Sequence, residues 1–405
     1  MTLGSTDTPS TLTTSGNADA FVAKYSPTGV LLWKVSGGGA AGDESFNAIA
    51  VDSSGNVTVA GRFSSTANFG GSNLTANGVS DMVLAQYAGS NGAHQWSKKF
   101  GGAVNDDANG LAADASGKIY LTGYFSGTVN FGGANISSPF DTDTDAFVAK
   151  FNADGTHVWS KHFTNAGSDK GVAIAADTVG GLALVGSFTA TINFGGSTLS
   201  STGQVDAFVA RLSQTDGSHI WSRRNGAPDG NESAQAVTVD ADGDVLVGGY
   251  ASKAMDVGGG VAAALGGVDT WIAKYAAASP GAHLWSKRIG GTSHDYVYGI
   301  AVDASDNVYA AGSFESLSLS VGGDTLTNGG SSSADVWVAK WTAAGANVWG
   351  EKQGGTAVDV AKACATSPSG HLAVGGYFFS SGGLFGGATL SAAGVADGFL
   401  ARIAQ

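Results

Sequence analysis

The chain has 405 residues, 43% of them hydrophobic and only 13% charged, with 64 glycines and one cysteine. A single cysteine excludes an intrachain disulfide and a thiol-metal cluster. The net charge of −13 argues against nucleic acid and anionic membrane as partners, since both require a basic face.

Residues 1–18 carry no periodic pattern and read as an irregular leading segment of a single domain spanning 1–405. The opening "MTLGSTDTPS" lacks the basic start and apolar stretch of an export signal, and no stretch resembles a membrane-spanning helix. The first patterned element is "DAFVAKY" at 19–25, followed after a "SPTG" turn by "VLLWKVS" at 30–36. A regular period then begins. "AIAVDSSGNVTVAGRF" (48–63) alternates side chains on either side of an Asp/Gly turn, which predicts two antiparallel strands, A and B. A long loop containing "NFGG" (68–71) leads to "DMVLAQY" (81–87, strand C), and "HQWSKKF" (94–100) forms strand D. The same four elements return as "GLAADASGKIYLTGYF" (110–125), "GIAVDASDNVYAAGSF" (299–314) and their relatives, with Trp at 33, 96, 159, 221, 285 and 349. The last period runs through "AKACAT" (361–366), "HLAVGGYF" (371–378) and "DGFLARI" (397–403).

No stretch sustains a 3.6-residue period, so helix content is expected to be very low. Four short antiparallel strands repeated about every 63 residues predict an all-β fold, a β-propeller. Strands A, B and D occur six times, which predicts six four-stranded blades, with seven as the alternative. The ring is expected to close through its N- and C-terminal strands, 30–36 completing the last blade. The "DAFVAKY" element occurs seven times, so 19–25 either flanks its hairpin partner or displaces 397–403.

The combined pattern "GIAVDASDNVYAAGSF…DVWVAKWTAAG" resembles the SBBP-type β-propeller repeat of bacterial secreted and cell-surface proteins. The resemblance covers nearly the whole chain. It implies a propeller and an exported location, and no particular activity; the family label suggests seven blades, from which the six A strands depart. "FNADGTHVW" (151–159) is also similar to the Trp-docking repeat of pyrroloquinoline-quinone dehydrogenases, whose adjacent cofactor cysteines have no counterpart here.

Four histidines, His94, His157, His219 and His283, stand two residues before a Trp, but on outer strands of different blades, where packing explains them. The hairpin aspartates Asp52, Asp114, Asp177, Asp240 and Asp303 fit turn chemistry. The aspartates that open strand C are expected to bind loop amides or a Lys of the "WSK" stretch. Cys364 reads as a small buried hydrophobe. "DADGD" at 240–244 lacks the glycine and distal Glu of a calcium loop. The candidate site is a ring of acids at the start of each strand A: Glu44, Asp106, Asp169, Glu232, Asp295 and Asp359. Such a ring, at the top mouth of a channel lined by small residues, needs either a cation such as calcium or ion pairs with Lys98, Lys161, Arg223 and Lys287.

No nucleophile elbow, phosphate loop or ligand-spaced metal cluster is present. The expectation is a non-enzymatic, monomeric, exported or cell-surface binding module that holds a glycan, protein or surface on its top face. The alternative is a carbohydrate-active enzyme, a glycosidase or lyase using the top-face carboxylates.

Overall fold

The computed structural model describes residues 2–3, 10–138, 143–163, 165, 167–330, 333–379 and 381–403. Among the described residues there are strands, turns and loops and no helix. The fold is a six-bladed β-propeller. Two compact units divide the chain, Met1–Ala176 with Thr215–Gly217, and Asp177–Gln214 with Ser218–Gln405.

The first unit opens with a two-stranded hairpin, Ala20–Tyr25 against Leu31–Gly37. Blade 1 follows, with strands A to D at Glu44–Val51, Val57–Phe63, Asp81–Tyr87 and His94–Phe100. Blade 2 comprises Asp107–Ala113, Ile119–Phe125, Asp145–Phe151 and His157–Phe163. Strand A of blade 3, Asp169–Ala176, ends the unit.

The second unit holds strands B to D of blade 3, Gly181–Phe188, Asp206–Ser213 and His219–Asn225. Blade 4 runs through Glu232–Val239, Val245–Ala251, Asp269–Tyr275 and His283–Ile289. Blade 5 runs through Asp295–Val302, Val308–Phe314, Asp335–Trp341 and Asn347–Gln353. The sheet of blade 6 has three strands, Asp359–Thr366, Leu372–Phe378 and Asp397–Ile403.

The seventh "DAFVAKY" copy is thereby explained: residues 20–25 are the partner of 31–37, and 397–403 keeps its own place beside strand B. Residues 31–37 take this neighbour as their sheet partner. A tight turn holds the hairpin, with Ser26 N donating to Val30 O and Gly29 N to Ser26 O. Closing so short a loop costs far less chain entropy than recruiting a distant strand.

Strands B and C are buried on both faces, as in "VTVAGRF" and "DMVLAQY", which explains their nearly continuous apolar sequence. The loop between B and C is not plain loop. It folds into a small antiparallel ribbon in each blade, for example Thr66–Ala67 against Leu74–Thr75. The "NFGG" stretch builds the ribbon's core contact, because its Phe docks on a strand C ring. Phe131 lies 4.7 Å from Phe147, and Phe194 lies 4.9 Å from Phe208. Hairpin aspartates do what their turns predict: Asp52 Oδ1 accepts the amides of Ser54 and Asn56, and Asp240 repeats the pattern.

The recurring Trp is a latch onto the next copy. Trp33 Nε1 donates to Gly89 O at 3.0 Å, Trp96 to Ala153 O at 3.1 Å, Trp221 to Ala277 O at 3.1 Å and Trp285 to Ala343 O at 3.0 Å. Each indole lies over a glycine of the same C–D hairpin, such as Gly281, whose φ is +71°. A Cβ there would sit 2.6 Å from the Trp221 ring, so only glycine fits.

Candidate functional site

The junction from strand D to the next strand A repeats one design. It begins with a glycine whose bare Cα lets the strand C aspartate approach: Gly38 faces Asp19, Gly101 faces Asp81, Gly226 faces Asp206 and Gly290 faces Asp269. The following residue gives its amide to the acid that opens strand A. Gly39 donates to Glu44 at 3.2 Å, Gly102 to Asp106 at 2.7 Å, Ala227 to Glu232 at 3.0 Å, Gly291 to Asp295 at 2.7 Å and Gly355 to Asp359 at 2.7 Å. The loop after strand B adds a second clasp, with Ser126 N on Asp106 and Ser316 N and Oγ on Asp295.

Glu44, Asp106, Asp169, Glu232, Asp295 and Asp359 are all buried, none more than 3% exposed. Five of them, Glu44, Asp106, Glu232, Asp295 and Asp359, accept an amide of the loop that precedes strand A. The ion pairs of strand D also run elsewhere. Lys99, Arg224, Arg288 and Lys352 meet the strand C aspartates Asp81, Asp206, Asp269 and Asp335 at 2.8–3.6 Å. Those aspartates do bind loop amides as well, for instance Asn77 N on Asp81 and Leu265 N on Asp269. Arg223, expected to pair with an acid, instead lies 4.2 Å over the Tyr275 ring and donates to Gly281 O and Val257 O.

The histidines are packing residues. His94, His157, His219 and His283 cap the ribbon glycines Gly71, Gly133, Gly196 and Gly259, and burial lowers the pKa of each. Cys364 is half-buried, and burial pushes its thiol up to about 12, which keeps it inert.

The sequence reading missed what lies three residues beyond each acid. Strand A carries a β-bulge there, where the register skips Asn47, Asn109, Gln235, Tyr298 and Lys362 in blades 1, 2, 4, 5 and 6. A bulge frees one residue from the ladder and re-aims its side chain. In the first unit, Asn47 Nδ2 donates to Asp107 Oδ1 at 2.9 Å and Ala108 O at 3.1 Å, and Asn109 Nδ2 to Gly171 O at 3.0 Å.

In the second unit the same positions assemble a cluster of rings around a cation. Tyr250 meets Tyr296 edge-on at 5.5 Å, and Tyr296 stacks on Tyr298 at 5.9 Å. Lys362 Nζ lies 4.1 Å over Tyr298 and 5.7 Å from the centre of Tyr377. The four tyrosines are half-buried. Burial pushes the Tyr298 hydroxyl up to about 12 and keeps it a neutral donor. Much of the Lys362 side chain is exposed, yet its ammonium sits among the rings, and desolvation lowers its pKa. Small residues therefore do not dominate this face, contrary to the sequence expectation. Two clefts, of about 250 and 470 Å³, lie instead beside strand D of blades 4 and 2.

Among known proteins, residues 284–313 match the β-propeller repeat SBBP. A stretch of 128 residues is 30% identical to an uncharacterized WD repeat-containing protein of Acanthamoeba polyphaga mimivirus, covering 30% of this chain and 9% of that protein. Over 311 residues the chain is 27% identical to the regulatory protein FlaEY of Caulobacter vibrioides, covering 71% of this chain and 32% of that protein. The chain thus spans a third or less of these relatives' lengths. Among solved structures, a protein of unknown function from Dyadobacter fermentans aligns with a TM-score of 0.42 at 12% identity, over 87% of this chain and 93% of that one. BamB from Moraxella catarrhalis aligns with a TM-score of 0.39 at 11% identity, over 88% of this chain and 86% of that one. The matched segment spans strand D of blade 4 and strands A and B of blade 5, elements that recur in the other copies, so the chain carries a segment similar to the SBBP β-propeller repeat.

Proposed function

We propose that this chain is a non-enzymatic binding module, exported or displayed at a cell surface, that takes a glycan on the strand A face of its second unit. The observation that carries this reading is the cluster of Tyr250, Tyr296, Tyr298 and Tyr377 around Lys362. A pyranose has an apolar C–H face and a rim of hydroxyls. Tyrosine matches both, with a flat ring and a donor at its edge, and the lysine adds three donors. Placing two of these groups on bulges holds them on sheet rather than on mobile loop. The strand A carboxylates support binding over hydrolysis, because they are engaged by loop amides and cannot easily meet a glycosidic oxygen.

A glycan array probed with the wild-type chain and with Lys362→Ala and Tyr298→Ala tests the proposal. Binding that is lost in both variants at unchanged melting temperature is expected. Binding that survives both variants, or polysaccharide cleavage abolished by a single carboxylate substitution, would overturn it in favour of another face or of the carbohydrate-active alternative.

A further inference from the structure

Several D–A junctions place two carboxyl groups beside each other out of reach of water. The junction of blades 3 and 4 shows it most fully. Asp206 and Glu232 are both completely buried. Gly226 accommodates the first and the adjacent Ala227 amide binds the second. Arg224 meets Asp206 Oδ2 at 3.0 Å and is its counter-ion. One oxygen of each carboxyl, Asp206 Oδ1 and Glu232 Oε1, is buried without a hydrogen-bond partner. Two buried negative charges with one counter-ion, and two orphaned acceptors, are costly together. At the junction of blades 1 and 2 the crowding is explicit. Asp81 Oδ1 and Asp106 Oδ2 lie 2.6 and 2.9 Å from the same point, where a Cβ of Gly101 would stand. The N-terminal junction again leaves Asp19 Oδ1 and Glu44 Oε1 buried and unpartnered.

We infer that the junction of blades 3 and 4 is a proton-binding site, with Glu232 protonated and donating to Asp206, and with Glu44 as its counterpart toward Asp19. A proton supplies both missing things, since it removes one charge and turns one orphaned acceptor into a donor. A calcium ion fits less well. It wants six to eight oxygens, whereas Ala227 O and Gly230 O already accept amides, from Gly230 and Gln204. No group of three His, Cys, Asp or Glu converges among the described residues. The other charged or titratable groups facing Glu232 are Arg288 and Tyr250, and Asp43 faces Glu44. Burial, with the neighbouring aspartate adding to it, raises Glu232 to about 7, and Glu44 and Asp106 to about 6. At blades 2 and 5 burial raises the strand C member instead, Asp145 to about 6 and Asp335 in the same direction.

The sign follows from linkage. A carboxyl raised from 4.5 to about 7 holds in the folded state a proton that the unfolded chain releases. Its contribution is complete below 4.5 and is lost as pH rises through about 7. Thermal melts of the full chain between pH 5 and 8 should therefore show a falling midpoint for wild type. Glu232→Gln, whose amide donates at every pH, should show a shallower fall and a higher midpoint than wild type at pH 8. The Glu44→Gln, Glu232→Gln double variant should be flatter still. Infrared spectra of wild type at pH 6 should contain a protonated-carboxyl band that weakens in Glu232→Gln, a readout independent of variant stability. A Glu232→Gln midpoint below wild type at pH 8, or an unchanged band, would overturn the inference. So would calcium that stabilises wild type but not the variant at pH 8, which would make the junction a metal site.

Discussion

The two units place a β-bulge at the same position of strand A and use it differently. In the first unit Asn47 and Asn109 turn their amides to neighbouring strands, which ties adjacent blades together. In the second, Tyr298 and Lys362 turn theirs toward other rings and leave part of their polar surface to solvent. A repeated frame can thus hold a position constant while its chemistry changes from adhesive to receptive. What identifies a site in such a fold is not recurrence but departure from it, because recurrent residues serve the frame that every copy shares.

The largest expected effect breaks the frame itself. Gly281→Val forces a branched side chain to φ +71° against the Trp221 indole. It should cost about 3 kcal/mol in urea denaturation, from backbone strain and overpacking; a loss below ~1 kcal/mol would mean that the latch is loose. Next come the receptive bulges. Lys362→Ala and Tyr298→Ala should each weaken glycan binding about tenfold, ~1.4 kcal/mol, while leaving stability unchanged. A third test sharpens the contrast from the adhesive side. Asn47→Ala removes donors to Asp107 and Ala108 O and should cost about 1 kcal/mol of stability with no change in binding. An effect on binding would erase the distinction between the units. The smallest change is Tyr298→Phe, which keeps the ring and loses one hydroxyl. A roughly threefold loss of affinity is expected, the value of one neutral hydrogen bond.

Much of the frame was legible in the sequence because its parts are local. "DSSGN" closes a turn through Asp52 and the positive φ of Gly55, and an alternating strand follows it. The six strand A copies counted the blades. Three features were not legible, for distinct reasons. The "NFGG" loop hides a two-residue ribbon, too short for alternation to register. The hairpin 20–37 pairs locally, a choice that strand counting alone cannot make. The bulges break the two-residue alternation, so a strand read as uniformly small conceals Tyr298 and Lys362. Aligning the copies on their acids exposes the signal. The third residue onward reads Asn47, Asn109, Val172, Gln235, Tyr298 and Lys362, a varying column inside a constant frame. Likewise, the six acids were visible as a set, but the glycine pairs that bury them gain meaning only beside the strand C aspartates.

The Trp-over-glycine latch has a consequence for how such a chain can lengthen. A four-stranded period carries a plug on strand D and a socket in its own C–D hairpin, and its plug fits the socket of the next copy, as at Trp96, Trp221 and Trp285. Duplicating one whole period adds one plug and one socket, so every indole still finds a glycine. Inserting part of a period leaves one or the other unmatched. Recombination between copies is therefore filtered toward multiples of about 63 residues, and the gene can gain or lose blades without inventing a new contact.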